Sequence, residues 1–184
     1  MTMKPRRTLT PAMYEQMAAC VHEAGHGIVA RVLGHSVSGV TLTLTAAASP
    51  QAVCEVVQRF GGRPDPAVAY AGPWAEEFWR NNGVPTTAGI RRSLARNAND
   101  AAMITASGEP APLSVPRLLV DCWESVRHLA GTFYVNLTAT QDDIDTALHI
   151  PLDADEPTKN HALALIRSGS VPGTFKVSPV GTRG

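Results

Sequence analysis

The sequence lacks the features that would indicate a nucleic-acid or membrane partner. Sixteen basic and sixteen acidic residues give a formal net charge of zero, and neither sign forms a long run. Binding to nucleic acids or to a membrane surface depends on clustered Lys and Arg, so this charge pattern argues against both. No uninterrupted apolar run approaches the ~20 residues that span a bilayer. No apolar segment follows the early basic residues, Lys4, Arg6 and Arg7, so no secretory signal is predicted. We therefore expect a cytoplasmic protein without a membrane span.

The chain is also poor in cysteine. Cys20, Cys54 and Cys122 are widely separated, and no C-x-x-C pair is present. This spacing argues against a disulfide framework and against a structural zinc site of the C-x-x-C kind. We expect all three side chains to be small buried hydrophobic groups.

The most informative stretch contains the pattern H-E-x-x-H at positions 22–26. A spacing of four residues places His22 and His26 on the same face of a helix. Two imidazoles in that arrangement can bind one tetrahedral Zn²⁺ and leave positions for a third ligand and a water. Glu23 can then accept a proton from that water as a general base. The alternative is an ordinary helix in which the two histidines and the glutamate have no joint role.

Local signals predict that the motif lies on a helix. Thr10-Pro11 is typical of an N-cap followed by proline in the first turn, and Gly34 is a natural stop. Between these limits, apolar residues recur at three- or four-residue spacing and predict an amphipathic stripe. Gly25 lies inside this helix, where glycine costs roughly 0.5–1 kcal/mol relative to alanine. We therefore expect another backbone to approach the helix closely at Gly25.

The residues leave the third metal ligand open. A metzincin would need glycine and histidine where this chain has Val29 and Val32, and His35 lies beyond the helix stop. A thermolysin-like enzyme takes a glutamate from a downstream helix, for which Glu76 and Glu77 are nominal candidates. A surface salt bridge is an equally good interpretation of either glutamate.

The remaining pattern predicts a mostly α (α+β) domain, in which a helical zincin-like unit with the H-E-x-x-H helix lies beside a small β-hairpin or sheet. We expect the domain to cover residues 1–150 and residues 151–184 to form a C-terminal extension that is partly disordered. Pro73 should kink or locally break the second helix, and Gly131 should end the fourth. Polar and helix-breaking residues precede and include Pro157, so only residues 161–167 are expected to form another helical turn or two. The predicted elements are strands near 40–44 and 52–58 and helices near 11–33, 66–80, 90–107, 116–130, 141–149 and 161–167.

Several segments resemble one known family in the same order along the chain. The specific segment is V-H-E-A-G-H-G-I-V-A at positions 21–30, and weaker matches are V-S-G-V-T-L at 37–42, A-G-P-W-A-E-E at 71–77, N-D-A-A at 99–102 and the L-T … I region at 137–144. Over about residues 14–148, the chain resembles the peptidase domain of the FtsH-type ATP-dependent zinc metalloproteases.

This resemblance implies a ligand set and roles for individual residues. His22, His26 and Asp100 would bind zinc, and Glu23 would be the general base. Asp100 could instead be a surface aspartate near Arg96. If Glu76 or Glu77 faces the site, we expect it to accept a hydrogen bond from one of the two histidines.

The resemblance also implies a zinc metalloendopeptidase, but the sequence departs from the family in three respects. No G-x-x-x-x-G-K-[ST] loop and no membrane anchor are present, and Pro73 stands where the family usually has arginine. We therefore expect hydrolysis of flexible peptides or unfolded protein that is ATP-independent in itself. A separate unfolding or targeting partner and a homo-oligomer are both compatible with the sequence. The alternatives are a non-catalytic regulatory or assembly module that retains a structural zinc helix, and a zinc amidohydrolase with a non-peptide substrate.

Overall fold

The computed structural model describes residues 9–43, 51–57, 65–108 and 113–177. These residues form a mostly helical fold with one small antiparallel sheet, which confirms the predicted fold class. The elements are α1 (Pro11–Val32), β1 (Ser36–Thr43), β2 (Gln51–Val57), α2 (Pro66–Arg80), α3 (Thr87–Arg96), α4 (Ala98–Ser107), α5 (Ser114–Asp121), α6 (Trp123–Asn136), β3 (Thr138–Ala139), α7 (Gln141–Ala147) and α8 (Glu156–Arg167).

Helix α1 begins and ends where the capping signals predict. The hydroxyl of Thr10 accepts a hydrogen bond from the backbone N–H of Met13, and Gly34 follows the helix with a φ of 91°, in the left-handed region that favours glycine. The predicted one-sided stripe is wrong over the second half of the helix, because every residue from Cys20 to Val32 is buried. Other elements cover α1 on all sides, so it is the central helix of the fold.

Helix α2 lies directly against α1 at Gly25, as the mid-helix glycine predicted. A Cβ atom built on Gly25 would lie 2.8 Å from the Cβ of Ala75 and 2.9 Å from the carbonyl oxygen of Ala71. Contacts that short are not tolerated, so only glycine permits this approach of the two helices. The close packing brings α2 next to the turn of α1 that carries the two histidines.

The sheet has the strand order β2-β1-β3, with both pairings antiparallel. The predicted strands correspond to β1 and β2, although the register shifts between Val37 and Gly39. The third strand, β3, was not predicted because two residues are too few to show a period of two. Residues 44–50 and 58–64 lie outside the described residues.

The predicted helix at 90–107 is two helices in the structure, α3 and α4. The break is at Asn97, whose backbone (φ −112°, ψ 78°) is not helical. Its side-chain amide donates a hydrogen bond to the carbonyl oxygen of Ser93, 3.0 Å away. Asparagine side chains compete with the helical backbone in this way, which explains why the chain turns here. Asp100 consequently lies in the first turn of a new helix.

Glycine and proline at three other positions do not act as predicted. Gly131 lies inside α6, which continues to a cap at Leu137 with a φ of 61°. Pro73 lies inside α2, which runs unbroken from Pro66 to Arg80. Pro157 lies in the first turn of α8, after an N-cap at Asp155 that accepts from the N–H of Thr158. Proline is tolerated in a first turn because the N–H it lacks has no helical partner there.

The core includes α8, which lies in the segment expected as a C-terminal extension. Ala162, Leu163 and Ile166 are buried in the same hydrophobic cluster as α1. Cys20 and Cys122 are free thiols buried in this cluster, as predicted, and burial raises the pKa of each to about 12. The side chain of Cys54 and residues 178–184 lie outside the described part of the chain. Among the described helices, none is long and apolar enough to cross a membrane.

Candidate metal centre

His22 and His26 lie one turn apart in the buried half of α1. The two residues are only 4% and 6% exposed. Their ring centroids are 4.7 Å apart in an edge-to-face arrangement. Glu23 is also buried, and one ligand atom from each of the three residues lies within 4.8 Å of the others. The motif therefore gathers two imidazoles and a carboxylate in one place, as the helical spacing predicted.

The Nδ1 atom of each imidazole is held by a group from α2. His26 Nδ1 lies 2.7 Å from the carbonyl oxygen of Val68, and His22 Nδ1 lies 3.1 Å from Oε2 of Glu76. A carbonyl oxygen can only accept a hydrogen bond, so Nδ1 of His26 carries a proton. A carboxylate partner favours the same arrangement for His22. Both Nε2 atoms are therefore left to face the third group of the site.

That third group is Asp100. Its Oδ2 lies 2.9 Å from Nε2 of His22, and its Oδ1 lies 3.4 Å from Nε2 of His26. Asp100 is the one residue of α4 that is buried. The fold thus brings Asp100, the ligand that the resemblance suggested, next to both histidines. Asp100 lies 78 positions after His22 in the sequence.

The two candidate glutamates have different surroundings. Glu76 contacts His22, as described above. The carboxylate of Glu77 instead accepts a hydrogen bond from the hydroxyl of Thr86 (2.8 Å), the N-cap residue of α3. Gly89 leaves the room for Glu77, because a Cβ atom there would collide with its carboxylate. Glu77 therefore holds the start of α3 and does not contact either histidine.

The acidic groups around His22 favour a positive charge on its ring. Burial lowers the pKa of His22, but hydrogen bonds to Asp100 and Glu76 outweigh burial and raise it to about 10. Burial also opposes ionisation of Asp100, yet its hydrogen bonds to His22 and His26 hold the pKa of that carboxyl well below its usual range. The site therefore favours a cation between the Nε2 atoms and Asp100, whether that cation is a proton or a metal ion.

Gly72 leaves space in front of both Nε2 atoms. A Cβ atom built on this residue of α2 would collide with Nε2 of His26 and would lie 2.7 Å from Nε2 of His22. Any residue other than glycine would fill this space. A small gap beside two nitrogen donors and a carboxylate fits a small cation.

Sequence reasoning missed several residues that support the site. Ser93 and Arg96 of α3 and Arg80 of α2 all donate hydrogen bonds to Glu76. The three-residue spacing of Ser93 and Arg96 predicts that they share one face of α3. No local signal identified Glu76 as the partner of these two residues. The role of Gly72 was also missed, because the reason for that glycine lies on another helix.

Comparisons with known proteins do not assign this arrangement to a family. A scan against protein-family models found no match, and a search of the curated proteins found no significant relative. The interpretation of the centre therefore depends on its own residues.

Proposed function

We propose that the protein is a zinc-dependent peptidase whose zinc ligands are His22, His26 and Asp100. The observation that carries the proposal is the convergence of both Nε2 atoms on the Asp100 carboxylate while acceptors hold both Nδ1 atoms. Two neutral imidazoles in that state would direct lone pairs at a carboxylate, which is unfavourable unless a cation lies between them. Groups bound to one tetrahedral zinc are separated by roughly 3.3 Å, and the two nitrogen–oxygen distances here are 2.9 and 3.4 Å.

The chemistry of the donors also suits zinc. Two imidazoles and one carboxylate are the ligand types of catalytic zinc sites, and three protein ligands leave a position for water or substrate. The carbonyl of Val68 and the carboxylate of Glu76 orient the two rings, as outer groups do in such sites.

The position of Glu23 supports a peptidase reaction. Zinc, when bound, would supply the Lewis acidity that activates water and polarises a carbonyl group. Glu23 is buried beside both histidines, and no described residue hydrogen-bonds to its carboxylate. It is therefore free to accept a proton from the attacking water and to pass it to the leaving amine. The resemblance over the H-E-A-G-H segment supports peptide bonds as the substrate.

Metal content is the direct test. We expect the purified protein to hold about one zinc per chain, and we expect His22→Ala combined with His26→Ala to remove it. Asp100→Asn keeps the size of the side chain but loses its charge, so zinc affinity should fall by at least the roughly 10–100-fold typical of lost outer-shell partners. The measurements are elemental analysis and chelator competition.

His161→Ala is the matched control, since His161 is an exposed histidine on α8. It should retain zinc at the wild-type level. Stoichiometric zinc in the double variant of His22 and His26 would refute the site. Normal zinc affinity in Asp100→Asn would refute the third ligand.

A second prediction concerns Gly72. Glycine-to-alanine changes inside a helix normally stabilise it by up to about 1 kcal/mol. At Gly72, however, the added methyl group would occupy the space in front of both Nε2 atoms. We expect Gly72→Ala to reduce zinc affinity by at least about tenfold while the protein stays folded, measured by chelator competition and circular dichroism.

Gly131→Ala is the control for this change. Gly131 also lies inside a helix, but no atom of the described residues lies within 4 Å of a Cβ atom built there. The variant should bind zinc normally and unfold at a slightly higher temperature. If Gly72→Ala binds zinc as tightly as Gly131→Ala does, the metal does not occupy the space beside Gly72.

A further inference from the structure

Glu76 accepts hydrogen bonds from four side chains, which uses the full capacity of a carboxylate. Its Oε2 accepts from the hydroxyl of Ser93 (2.5 Å) and from Nδ1 of His22 (3.1 Å). Its Oε1 accepts from Arg80 Nε (2.7 Å) and Arg96 Nη2 (2.6 Å). A carboxylate held at both oxygens cannot rotate, so it presents a fixed acceptor to His22.

The four donors belong to three different helices. His22 comes from α1, Arg80 from α2, and Ser93 and Arg96 from α3. Arg80 is itself tied to α1, because its guanidinium forms two further hydrogen bonds with Glu15 (2.9 and 2.6 Å). Ser93 and Arg96 are therefore the contributions of α3 to this junction.

The α3–α4 segment, residues 87–107, has little apolar burial to hold it in place. The buried residues of α3 are Gly89 and Ser93, and the buried residue of α4 is Asp100. Ile90 is only partly buried against the core. Polar contacts must therefore hold the segment to α2. Glu76 accepts hydrogen bonds from Ser93 and Arg96, and Glu77 accepts one from Thr86, the N-cap residue of α3.

We propose that Ser93 and Arg96 are positioning residues of the metal site. Through Glu76 they fix the ring of His22, and the same two contacts hold the helix pair that delivers Asp100. The inference rests on the proposed zinc function, because it assigns these residues to the geometry of that site. No hydrogen bond or ion pair joins Ser93 or Arg96 to His22, His26 or Asp100 in the described part of the chain.

Arg96 is the better probe of the two. Its side chain is 53% exposed, so its replacement opens no buried cavity, whereas Ser93 is 1% exposed. Arg96→Gln should weaken zinc affinity by roughly 10–100-fold, the range typical when an outer-shell partner of a metal ligand is lost. Arg96→Lys keeps the charge but not the planar donor pattern of the guanidinium. The zinc affinity of this variant should therefore lie between those of wild type and Arg96→Gln.

Arg91→Gln is the matched control. Arg91 is an exposed arginine on the same helix, and it forms no ion pair with another described residue. This variant should bind zinc within about twofold of wild type, because exposed charges without partners contribute little.

A double-mutant cycle distinguishes positioning through Glu76 from any other effect. If Arg96 acts through Glu76, Arg96→Gln should cause no further loss of zinc affinity in a Glu76→Gln background. Hydrogen exchange of the metal-free protein gives a second readout, independent of zinc. The amides of residues 98–107 should exchange faster in Arg96→Gln than in wild type or Arg91→Gln.

Each outcome decides the proposal. A wild-type protein that binds zinc, with an Arg96→Gln variant that binds it equally well, would overturn the inference and leave the proposed function standing. Losses that add in the double variant would also overturn it. A wild-type protein that binds no zinc would overturn both proposals, and the exchange data would then show whether Arg96 still holds α4.

Discussion

Glu23→Gln is expected to abolish peptide cleavage while zinc and fold are retained. Glutamine has the shape of glutamate and can hydrogen-bond, but it cannot accept the proton of the attacking water. General acid–base catalysis contributes typically about 10²–10⁴-fold, so the rate should fall by at least that factor. Glu23 is 7% exposed and makes no hydrogen bond with another described residue, so the substitution should disturb little else. The measurements are kcat/KM with a peptide library and zinc content.

Glu156→Gln is the control, since Glu156 is an exposed glutamate in the first turn of α8. It should cleave peptides at the wild-type rate. Cleavage at the wild-type rate by Glu23→Gln would refute the general-base role. A wild-type protein that binds zinc but cleaves no peptide would instead favour a non-peptide amide as substrate or a non-catalytic zinc module, and an assay with small amides separates these two.

The parts of this fold that the sequence predicted depend on local chemistry. The start of α1 follows from Thr10 and the start of α2 from Asp65, because each N-cap side chain bonds to a backbone N–H two or three residues away. The face that carries His22 and His26 follows from helical geometry alone. Gly25 indicated that another backbone would approach α1 closely, but it could not indicate which element would do so.

The parts that could not be predicted depend on partners distant in the sequence. The contacts of Ser93 and Arg96 with Glu76 span 17 and 20 positions and have no local periodicity. Gly72 is explained only by the imidazoles of another helix. Asp100 was suggested by resemblance alone. Its contact with both histidines depends on the position of α4 beside α1, which no local signal specifies.

The second large effect is expected at Asp145, a buried carboxylate outside the candidate metal centre. Asp145 of α7 is fully buried and pairs with Arg31 of α1 through two hydrogen bonds of 2.6 and 3.0 Å. Nζ of Lys159, on α8, lies 3.9 Å from Oδ2 of Asp145. Removing one partner of a buried ion pair leaves an uncompensated charge and costs about 3–5 kcal/mol. For a chain of this size, Asp145→Asn should lower the unfolding temperature by roughly 6–20 °C.

The surface pair of Arg127 and Glu124 is the matched control. Its nitrogen–oxygen distance is 3.0 Å, but the two side chains are 59% and 81% exposed. Because exposed ion pairs contribute about 0–1 kcal/mol, Glu124→Gln should hardly change the unfolding temperature. The contrast between the two variants isolates burial of the charge as the cause.

Zinc affinity should distinguish Asp145 from the carboxylates of the candidate metal centre. At temperatures where Asp145→Asn is folded, it should bind zinc as wild type does, whereas Asp100→Asn should bind zinc much more weakly. Adding Arg31→Met to Asp145→Asn removes the uncompensated charge and should recover part of the lost stability, since the penalty comes from the unpaired guanidinium. If the double variant is as unstable as the single one, the loss at Asp145 has another cause.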